Sequence, residues 1–164
     1  MFGKTHEIPK VPKREIKSLE ELHIFAEEFL HKLVALPVKN SATFVALSGE
    51  LGSGKTAFTK EVANLLGITE TITSPTFILE KIYPIPVGSL VEGRFTTLIH
   101  IDAYRLEKPE EIKALDLDAL VANTKNLIFF EWPERAGTLL PVDGIKLSFE
   151  YVNESVRSVS GVDL

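Results

Sequence analysis

Apolar positions along the chain follow two periods, one helical and one suited to buried strands. Between residues 19 and 36 they recur at helical spacing, and Ser18 followed by Glu21 forms a capping box at the start of this predicted helix. Residues 43–47 are a short apolar block bounded by polar residues, which predicts a buried strand. Residues 55–66 return to helical spacing. The first part of the chain is therefore predicted to run helix, strand, helix.

The rest of the chain is rich in apolar blocks of strand length. Residues 77–85 and 95–101 are predicted to form an antiparallel hairpin, because the segment between them holds the prolines and glycines typical of a loop. Residues 109–122 are predicted to be helical, with Pro109 in the first turn. Further strands are predicted at residues 126–130, 145–151 and 156–162. This order of elements indicates an α/β sandwich with a mixed sheet.

A glycine-rich segment connects the first predicted strand to the helix that follows it. The run Gly49-Glu50-Leu51-Gly52-Ser53-Gly54-Lys55-Thr56 matches the phosphate-binding pattern G-x-x-x-x-G-K-[ST]. Glycines let the backbone amides curl towards phosphate oxygens, and the helix start adds the positive end of its dipole. We expect Lys55 to contact the β- and γ-phosphates and the Thr56 hydroxyl to contact Mg²⁺. The motif predicts binding of a nucleoside triphosphate, with ATP and Mg²⁺ favoured.

Two acidic residues lie where apolar strands are predicted to end, namely Asp102 and Glu131. Ligands bind at the carboxyl ends of strands in open α/β sheets, and a phosphate-loop enzyme needs a carboxylate there for its metal or its water. Strands also end in acids simply because loops are polar, so we expect at least one of the two to be catalytic. The spacing leaves open which acid meets the metal and which orients water.

Three other residues near these strand ends fit more than one role. His100 alternates with isoleucines, which favours a partly exposed strand residue or a structural histidine. Arg105 fits either a contact with phosphate or a surface ion pair. Trp132 is the only tryptophan, and it fits a core position.

Composition narrows the classes of function and location. A chain of 164 residues with 45% hydrophobic and 25% charged residues fits one globular domain. It has no cysteine, which excludes disulfides, cysteine–zinc sites and cysteine nucleophiles. The formal net charge of −5 disfavours tight, direct binding of nucleic acid. No apolar run is long enough to cross a bilayer, so we expect a cytoplasmic location.

Four motifs in this order resemble the bacterial TsaE (YjeE) family, ATPases needed to make threonylcarbamoyladenosine in tRNA. They are the glycine loop, Ser74-Pro75-Thr76-Phe77, His100-Ile101-Asp102-Ala103-Tyr104-Arg105-Leu106 and Glu131-Trp132-Pro133-Glu134. The resemblance spans roughly residues 18–162. The loop is generic to many ATPases, whereas the other three motifs in this order are specific to the family.

The resemblance implies an α/β fold: a single P-loop NTPase-like sandwich with a mixed, mostly parallel central sheet flanked by helices. This ATPase domain is expected at residues 18–164, after a tail or edge segment at residues 1–17. The implied catalytic residues are Lys55, Asp102 and Glu131, and the implied Mg²⁺ ligands are Thr56 and Glu131. The implied cofactor-binding residues are Glu50, Leu51, Gly52, Ser53, Gly54, Lys55, Thr56, Ala57, Thr76 and Arg157.

The resemblance also implies partners. In this family the transfer of the threonylcarbamoyl group is performed by TsaD and TsaB, so we expect docking on a TsaD-like and TsaB-like pair. ATP hydrolysis would be weak for the chain alone, tRNA would be met only through the complex, and no membrane is involved. One alternative is a P-loop small-molecule kinase, which the absence of an arginine-rich lid segment disfavours. The other is a nucleotide-dependent binding module without turnover, which the two acids weakly disfavour.

The sequence departs from the family pattern in the stretch from Pro84 to Phe95, which is longer than usual and bears on docking, and at three single positions. Leu22 and Ala57 stand where threonines are common, and Asp116 stands where glycine is common. We expect the first two to alter contacts with the base or the affinity for the nucleotide. None of the three removes a residue assigned to catalysis.

Overall fold

A seven-stranded sheet with helices on both faces forms the body of the protein, which a computed structural model describes over residues 12–73 and 79–162. The strands are β1 (Arg14–Ile16), β2 (Thr43–Ser48), β3 (Glu80–Pro84), β4 (Thr97–Asp102), β5 (Asn126–Glu131), β6 (Ile145–Tyr151) and β7 (Arg157–Val162). The α-helices are α1 (Leu19–Ala35), α2 (Lys55–Leu65) and α3 (Leu117–Ala122). Short 3₁₀ segments cover Pro109–Leu115, Pro133–Arg135 and Gly137–Leu139.

The strands follow the order β1-β7-β6-β2-β5-β4-β3 across the sheet. β2 pairs in parallel with both β5 and β6, and β5 pairs in parallel with β4. β3 is antiparallel to β4, while β7 is antiparallel to both β6 and β1. Within this sheet only β3 and β7 run against the other strands, so the predicted mixed, mostly parallel sheet is confirmed.

The predicted hairpin of β3 and β4 is also antiparallel, as expected. β3 begins at Glu80, and residues 77 and 78 of the strand prediction lie outside the described part of the chain. Helix α1 has the expected cap, since the Ser18 hydroxyl accepts the Glu21 amide hydrogen at 3.1 Å.

Alternation along the central strands sends side chains into two separate cores. Phe129 of β5 joins the core formed with α1 and α2, and its neighbour Phe130 joins the core under residues 109–122. Phe58 of α2 stacks on Phe129, with ring centroids 5.8 Å apart and planes 5° apart. Such contacts between aromatic rings anchor α2 to the sheet, and with it the loop that precedes α2.

Residues 109–122 do not form the single helix that the sequence pattern predicts. The 3₁₀ segment Pro109–Leu115 ends at Asp116, and α3 starts only at Leu117. Asp116 has φ 46° and ψ 50°, a left-handed conformation that an α-helix cannot contain. The break leaves Ile112 and Leu115 buried together with Leu117 against the sheet. Packing therefore overrides the helical pattern here.

Replacing Asp116 with glycine should stabilise the fold. The left-handed conformation costs most side chains about 1–2 kcal/mol, and the Asp116 side chain makes no capping hydrogen bond that offsets it. Glycine adopts this conformation without steric cost but loses more entropy on folding. We expect Asp116→Gly to raise the free energy of unfolding by roughly 0.5 kcal/mol in urea denaturation. Asp118→Gly, in the first turn of α3, should lower it by roughly 0.5 kcal/mol, because glycine is the poorer helix former and the acidic charge near the helix start is lost. Equal losses in both variants would contradict this explanation.

Candidate functional site

The predicted site residues meet where three parallel strands end at one edge of the sheet. Strand register places Glu131 beside both Leu47 of β2 and Asp102 of β4. The glycine loop follows β2 directly. A cleft of about 450 Å³, termed the loop cleft, is lined by Leu51, Gly52, Gly54, Lys55, Thr56, Ala57, Asp102, Tyr104, Glu131 and Trp132.

The backbone of the loop depends on glycine at both ends. Gly49 has φ 137° and Gly54 has φ 109°, values that other residues rarely adopt. A Cβ atom at Gly49 would lie 2.3 Å from the carbonyl oxygen of Phe149, because the loop passes directly over β6 at this point. Helix α2 begins immediately after Gly54. Since the first turn of a helix has amides without intrahelical partners, this geometry suits an anion.

Lys55 folds back over its own loop. Its Nζ donates hydrogen bonds to the carbonyl oxygens of Gly49 at 2.6 Å and Glu50 at 3.0 Å. The same nitrogen lies 4.2 Å from the centroid of the Trp132 ring, within the range of a cation–π contact. Trp132 has φ 60°, and its ring also contacts Tyr104 at a centroid distance of 5.0 Å. The tryptophan is thus part of the loop cleft, and the interpretation as a core residue was incomplete.

Burial lowers the pKa of Lys55 from its ordinary value, while the nearby carboxylates of Glu131, Glu134 and Asp102 partly oppose the shift. Lys55 is only 4% exposed, and the groups that contact its ammonium are neutral carbonyls and a ring. An anion bound next to it would offset the lost hydration and raise the pKa again.

Glu131 lies between two hydrogen-bond donors. The Thr56 hydroxyl is 3.0 Å from Oε1 and 3.1 Å from Oε2, and His100 Nε2 is 2.8 Å from Oε1. His100 is fully buried and Glu131 is 2% exposed, so of the two roles expected for His100 the partly exposed strand residue is wrong and the structural histidine remains. Alternation along β4 and β5 could have indicated the shared face, because His100, Asp102 and Glu131 all lie on the face that carries α2.

Asp102 is buried at the end of β4, 3% exposed. Its Oδ1 accepts the Tyr104 amide hydrogen at 2.9 Å, which fixes the carboxylate in the turn after the strand. Arg105, in the same turn, is exposed and does not line the loop cleft. Asp102 and Glu131 are therefore brought together at the loop, whereas Arg105 is not.

Arg157 lies on the other side of the loop. Its Nε donates to the Gly52 carbonyl at 2.9 Å, and its Nη1 donates to the Asn153 carbonyl at 2.6 Å. It helps to line a second cleft of about 360 Å³, termed the side cleft, with apolar walls from Leu19, Leu22 and Phe149. The guanidinium therefore braces the loop backbone from outside the loop cleft.

Of four further predicted residues, three are exposed on or beside the loop and one lies outside the described part of the chain. Leu51 at the loop tip is 73% exposed, and Glu50 is also exposed, contributing its carbonyl to Lys55. Ala57 is exposed and borders both clefts. Thr76 lies outside the described residues.

The family model described as "Threonylcarbamoyl adenosine biosynthesis protein TsaE" matches residues 16–159, which include the loop and both strand-end acids. The chain belongs to the TsaE family. The sequence resemblance is thereby confirmed over most of its length.

Curated relatives carry the same description, tRNA threonylcarbamoyladenosine biosynthesis protein TsaE. The Rickettsia bellii protein is 34% identical over 143 residues, covering 87% of this chain and 88% of the relative. The Streptomyces coelicolor protein is 39% identical over 107 residues, covering 65% and 67%. The Borreliella burgdorferi protein is 32% identical over 139 residues, covering 84% and 90%. This TsaE chain thus matches its relatives over most of their length.

The fold has a counterpart among solved structures. The crystal structure of Bacillus subtilis YdiB superposes with a TM-score of 0.69 at 24% identity, covering 97% of this chain and 88% of YdiB. At this identity the match supports the fold alone. Within the described ranges of the TsaE chain, no helix is long and apolar enough to cross a membrane.

Gly49→Ala should destabilise this TsaE chain strongly. The new Cβ would overlap the Phe149 carbonyl oxygen of the backbone, and the residue would keep an unfavourable φ. We expect a loss of about 3 kcal/mol or more in the free energy of unfolding, measured in urea. The control is Gly52→Ala, where φ is also positive but nothing lies within 4 Å of the added atom. It should lose only about 1 kcal/mol, and a loss as large as that of Gly49→Ala would rule out the steric explanation.

Proposed function

We propose that this TsaE-family chain binds ATP with Mg²⁺ in the loop cleft and hydrolyses it in support of threonylcarbamoyladenosine biosynthesis. The observation that carries the proposal is the contact of Thr56 with Glu131. It joins a hydroxyl of the glycine loop to a buried carboxylate at the end of the neighbouring strand. P-loop NTPases use such a pair to hold the metal that bridges the phosphates.

Lys55 would bind the β- and γ-phosphates. In the structure its ammonium bonds to the Gly49 and Glu50 carbonyls, which are neutral acceptors. A phosphate oxygen carries negative charge that a carbonyl oxygen lacks, so the added Coulomb attraction would draw the Lys55 ammonium away from these carbonyls. The amides of the loop and of the first turn of α2 would bind the remaining phosphate oxygens.

The oxygen donors around the loop fit Mg²⁺. Thr56 and Glu131 would hold the ion, with Asp102 beside them. Among the described residues no group of three or more His, Asp or Glu side chains could hold a metal alone. That suits Mg²⁺, which is commonly bound through one or two protein ligands together with phosphates and water. When bound, the ion would neutralise charge on the phosphates.

Asp102 would orient the water that attacks the γ-phosphate. Its Oδ1 accepts the Tyr104 amide hydrogen, and its Cα is paired with that of Glu131, so these contacts hold the carboxylate beside the loop. The water oxygen would form a bond to the γ-phosphorus while the bond from that phosphorus to the bridging oxygen breaks, which gives ADP and inorganic phosphate. The proton that the water loses would pass to a phosphate oxygen or, by way of Asp102, to solvent. Lys55 would stabilise the negative charge that develops on ADP, and a bound metal ion would supply further positive charge there.

The side cleft would take the nucleoside. Leu19, Leu22 and Phe149 provide apolar walls for a base, and the loop residues along the cleft lead to the phosphate position. With Leu22 in place of the common threonine, recognition of the base here would rest on apolar contact rather than on a side-chain hydroxyl. Arg157 would support binding indirectly, by bracing the Gly52 carbonyl.

The proposal extends to partners and location. The net charge of −5 disfavours direct binding of tRNA by this chain, so we expect it to act on tRNA through a TsaD-like and TsaB-like pair. The proposed location is the cytoplasm. Hydrolysis by the isolated chain would be slow and would change when these partners are added. Hydrolysis to inorganic phosphate is favoured over transfer to a metabolite, because the described residues that line the loop cleft include no arginine.

Lys55→Ala should remove most of the nucleotide affinity. The variant lacks the charge-assisted bonds to phosphate, which contribute about 2–3 kcal/mol, so we expect affinity for ADP to fall at least about 30-fold. Fluorescence of Trp132 or of a labelled ADP would report it. Lys60→Ala, an exposed lysine on the same helix, is the control and should bind like the parent. Unchanged affinity in Lys55→Ala would exclude the loop as the phosphate site.

Glu131→Gln should bind ATP but hydrolyse it slowly. The amide keeps the size of the carboxylate but loses the charge that holds the metal, so we expect the hydrolysis rate to fall about 100-fold. Affinity for ATP without Mg²⁺ should change less than about threefold. The assay measures inorganic phosphate and ADP, which should form in equal amounts. Hydrolysis at the parental rate would refute the role of Glu131, and ATP loss without equal phosphate release would favour a kinase.

A further inference from the structure

The carboxylate of Glu131 has a second buried donor that a metal site of Thr56 and Glu131 does not by itself require. His100 Nε2 lies 2.8 Å from Oε1, and the two side chains are 0% and 3% exposed. Thr56 approaches from the loop and contacts both oxygens. Oε1 therefore receives two donors, while Oε2 receives only the longer contact with Thr56 among the described residues.

The sheet dictates this contact. β4 and β5 are parallel, His100 is paired with Phe129, and Asp102 is paired with Glu131. His100 and Glu131 consequently lie on the same face of adjacent strands, offset by two residues, a diagonal distance that a long side chain can bridge. The histidine approaches from the strand side and leaves the loop side of the carboxylate open to Thr56.

Among the described residues, the hydrogen bond to Glu131 is the one hydrogen bond that the His100 side chain makes. Its Nδ1 is buried and has no hydrogen-bond partner among the described residues. Because a carboxylate accepts hydrogen bonds, the ring proton belongs on Nε2, and the ring acts as a donor to Oε1. Burying an imidazole with one nitrogen unpartnered is costly, and an apolar side chain would pack here without that cost. The position therefore has a purpose beyond filling the core.

We propose that His100 is a positioning residue: its Nε2–H holds Oε1 of Glu131 so that Oε2 and the Thr56 hydroxyl form a preset pair of oxygen donors for a divalent cation. The inference rests on the proposed function, since it concerns the same site. Hydrogen bonds that orient metal-binding carboxylates typically change metal affinity by 10–100-fold when removed. If the role of His100 were purely structural, its replacement would change the free energy of unfolding but not the effect of Mg²⁺ on ADP binding.

The test measures how Mg²⁺ tightens the binding of labelled ADP, with no turnover involved. Each variant is titrated with ADP in EDTA and then with Mg²⁺ at fixed ADP. His100→Leu fills the space but has no hydrogen-bond donor. For this variant we expect the Mg²⁺ concentration that gives half of the increase in ADP binding to rise about 10–100-fold. Its ADP affinity in EDTA should stay within about twofold of the parent. His100→Gln, which can present an amide N–H at similar reach, should restore the response to within about threefold.

A matched control exists on α1. His23 Nδ1 also contacts a glutamate, Glu61, at 2.6 Å, but the ring is half-exposed and does not line either cleft. His23→Leu should leave the Mg²⁺ response unchanged. If His100→Leu does not fold, His100→Asn replaces it, because its amide is one methylene shorter than that of His100→Gln and should fall short of Oε1.

The outcomes separate the two claims. A parent that responds to Mg²⁺, with His100→Leu or His100→Asn shifted less than threefold, overturns the positioning role and leaves the proposed function standing. A shift in those variants with recovery in His100→Gln supports the role. A parent whose ADP affinity is the same in EDTA and in Mg²⁺ overturns the proposed function, and the positioning role with it.

Discussion

The parallel register of β2 with β5 is the constraint on which the site depends. Because Leu47 is paired with Glu131, the chain leaves β2 for the glycine loop at the level where β5 ends in its carboxylate. A slip of one residue would turn Glu131 to the opposite face of the sheet, away from α2 and Thr56. The aromatic stacking of Phe58 on Phe129 stabilises the same arrangement, since it fixes α2 over β5 just below the loop.

The same geometry explains how polar groups are tolerated in a largely apolar interior. Lys55, His100, Asp102 and Glu131 are each less than 5% exposed, and burying any of them without a partner would cost several kcal/mol. Each has a partner: loop carbonyls for Lys55, the Tyr104 amide for Asp102, and Glu131 for His100. Contacts within the chain therefore organise the site, and Lys55 is the member whose neutral partners a phosphate would replace.

Local patterns predicted much of this arrangement, and long-range contacts account for what they missed. The strand before the loop, the helix after it and the acids at 102 and 131 follow from periodicity and from the spacing of a loop motif. The order of strands could not be predicted, nor could the bond from Arg157 to Gly52, whose residues are 105 positions apart in the chain. The break at Asp116 reflects packing against the sheet, which local propensity does not describe. His100 lies between these two cases. Alternation along β4 indicates the face of the sheet on which its side chain lies, but not that Glu131 is its partner.

The central claim is that a polyphosphate occupies the loop and displaces Lys55 from its own backbone. A crystal structure with Mg²⁺ and a non-hydrolysable ATP analogue tests it most directly. We expect the β-phosphate to lie within hydrogen-bond distance of the amides that lead into α2, with Lys55 Nζ moved from the Gly49 and Glu50 carbonyls onto phosphate oxygens. A bound analogue whose phosphates lie elsewhere, with Lys55 still on those two carbonyls, would contradict it.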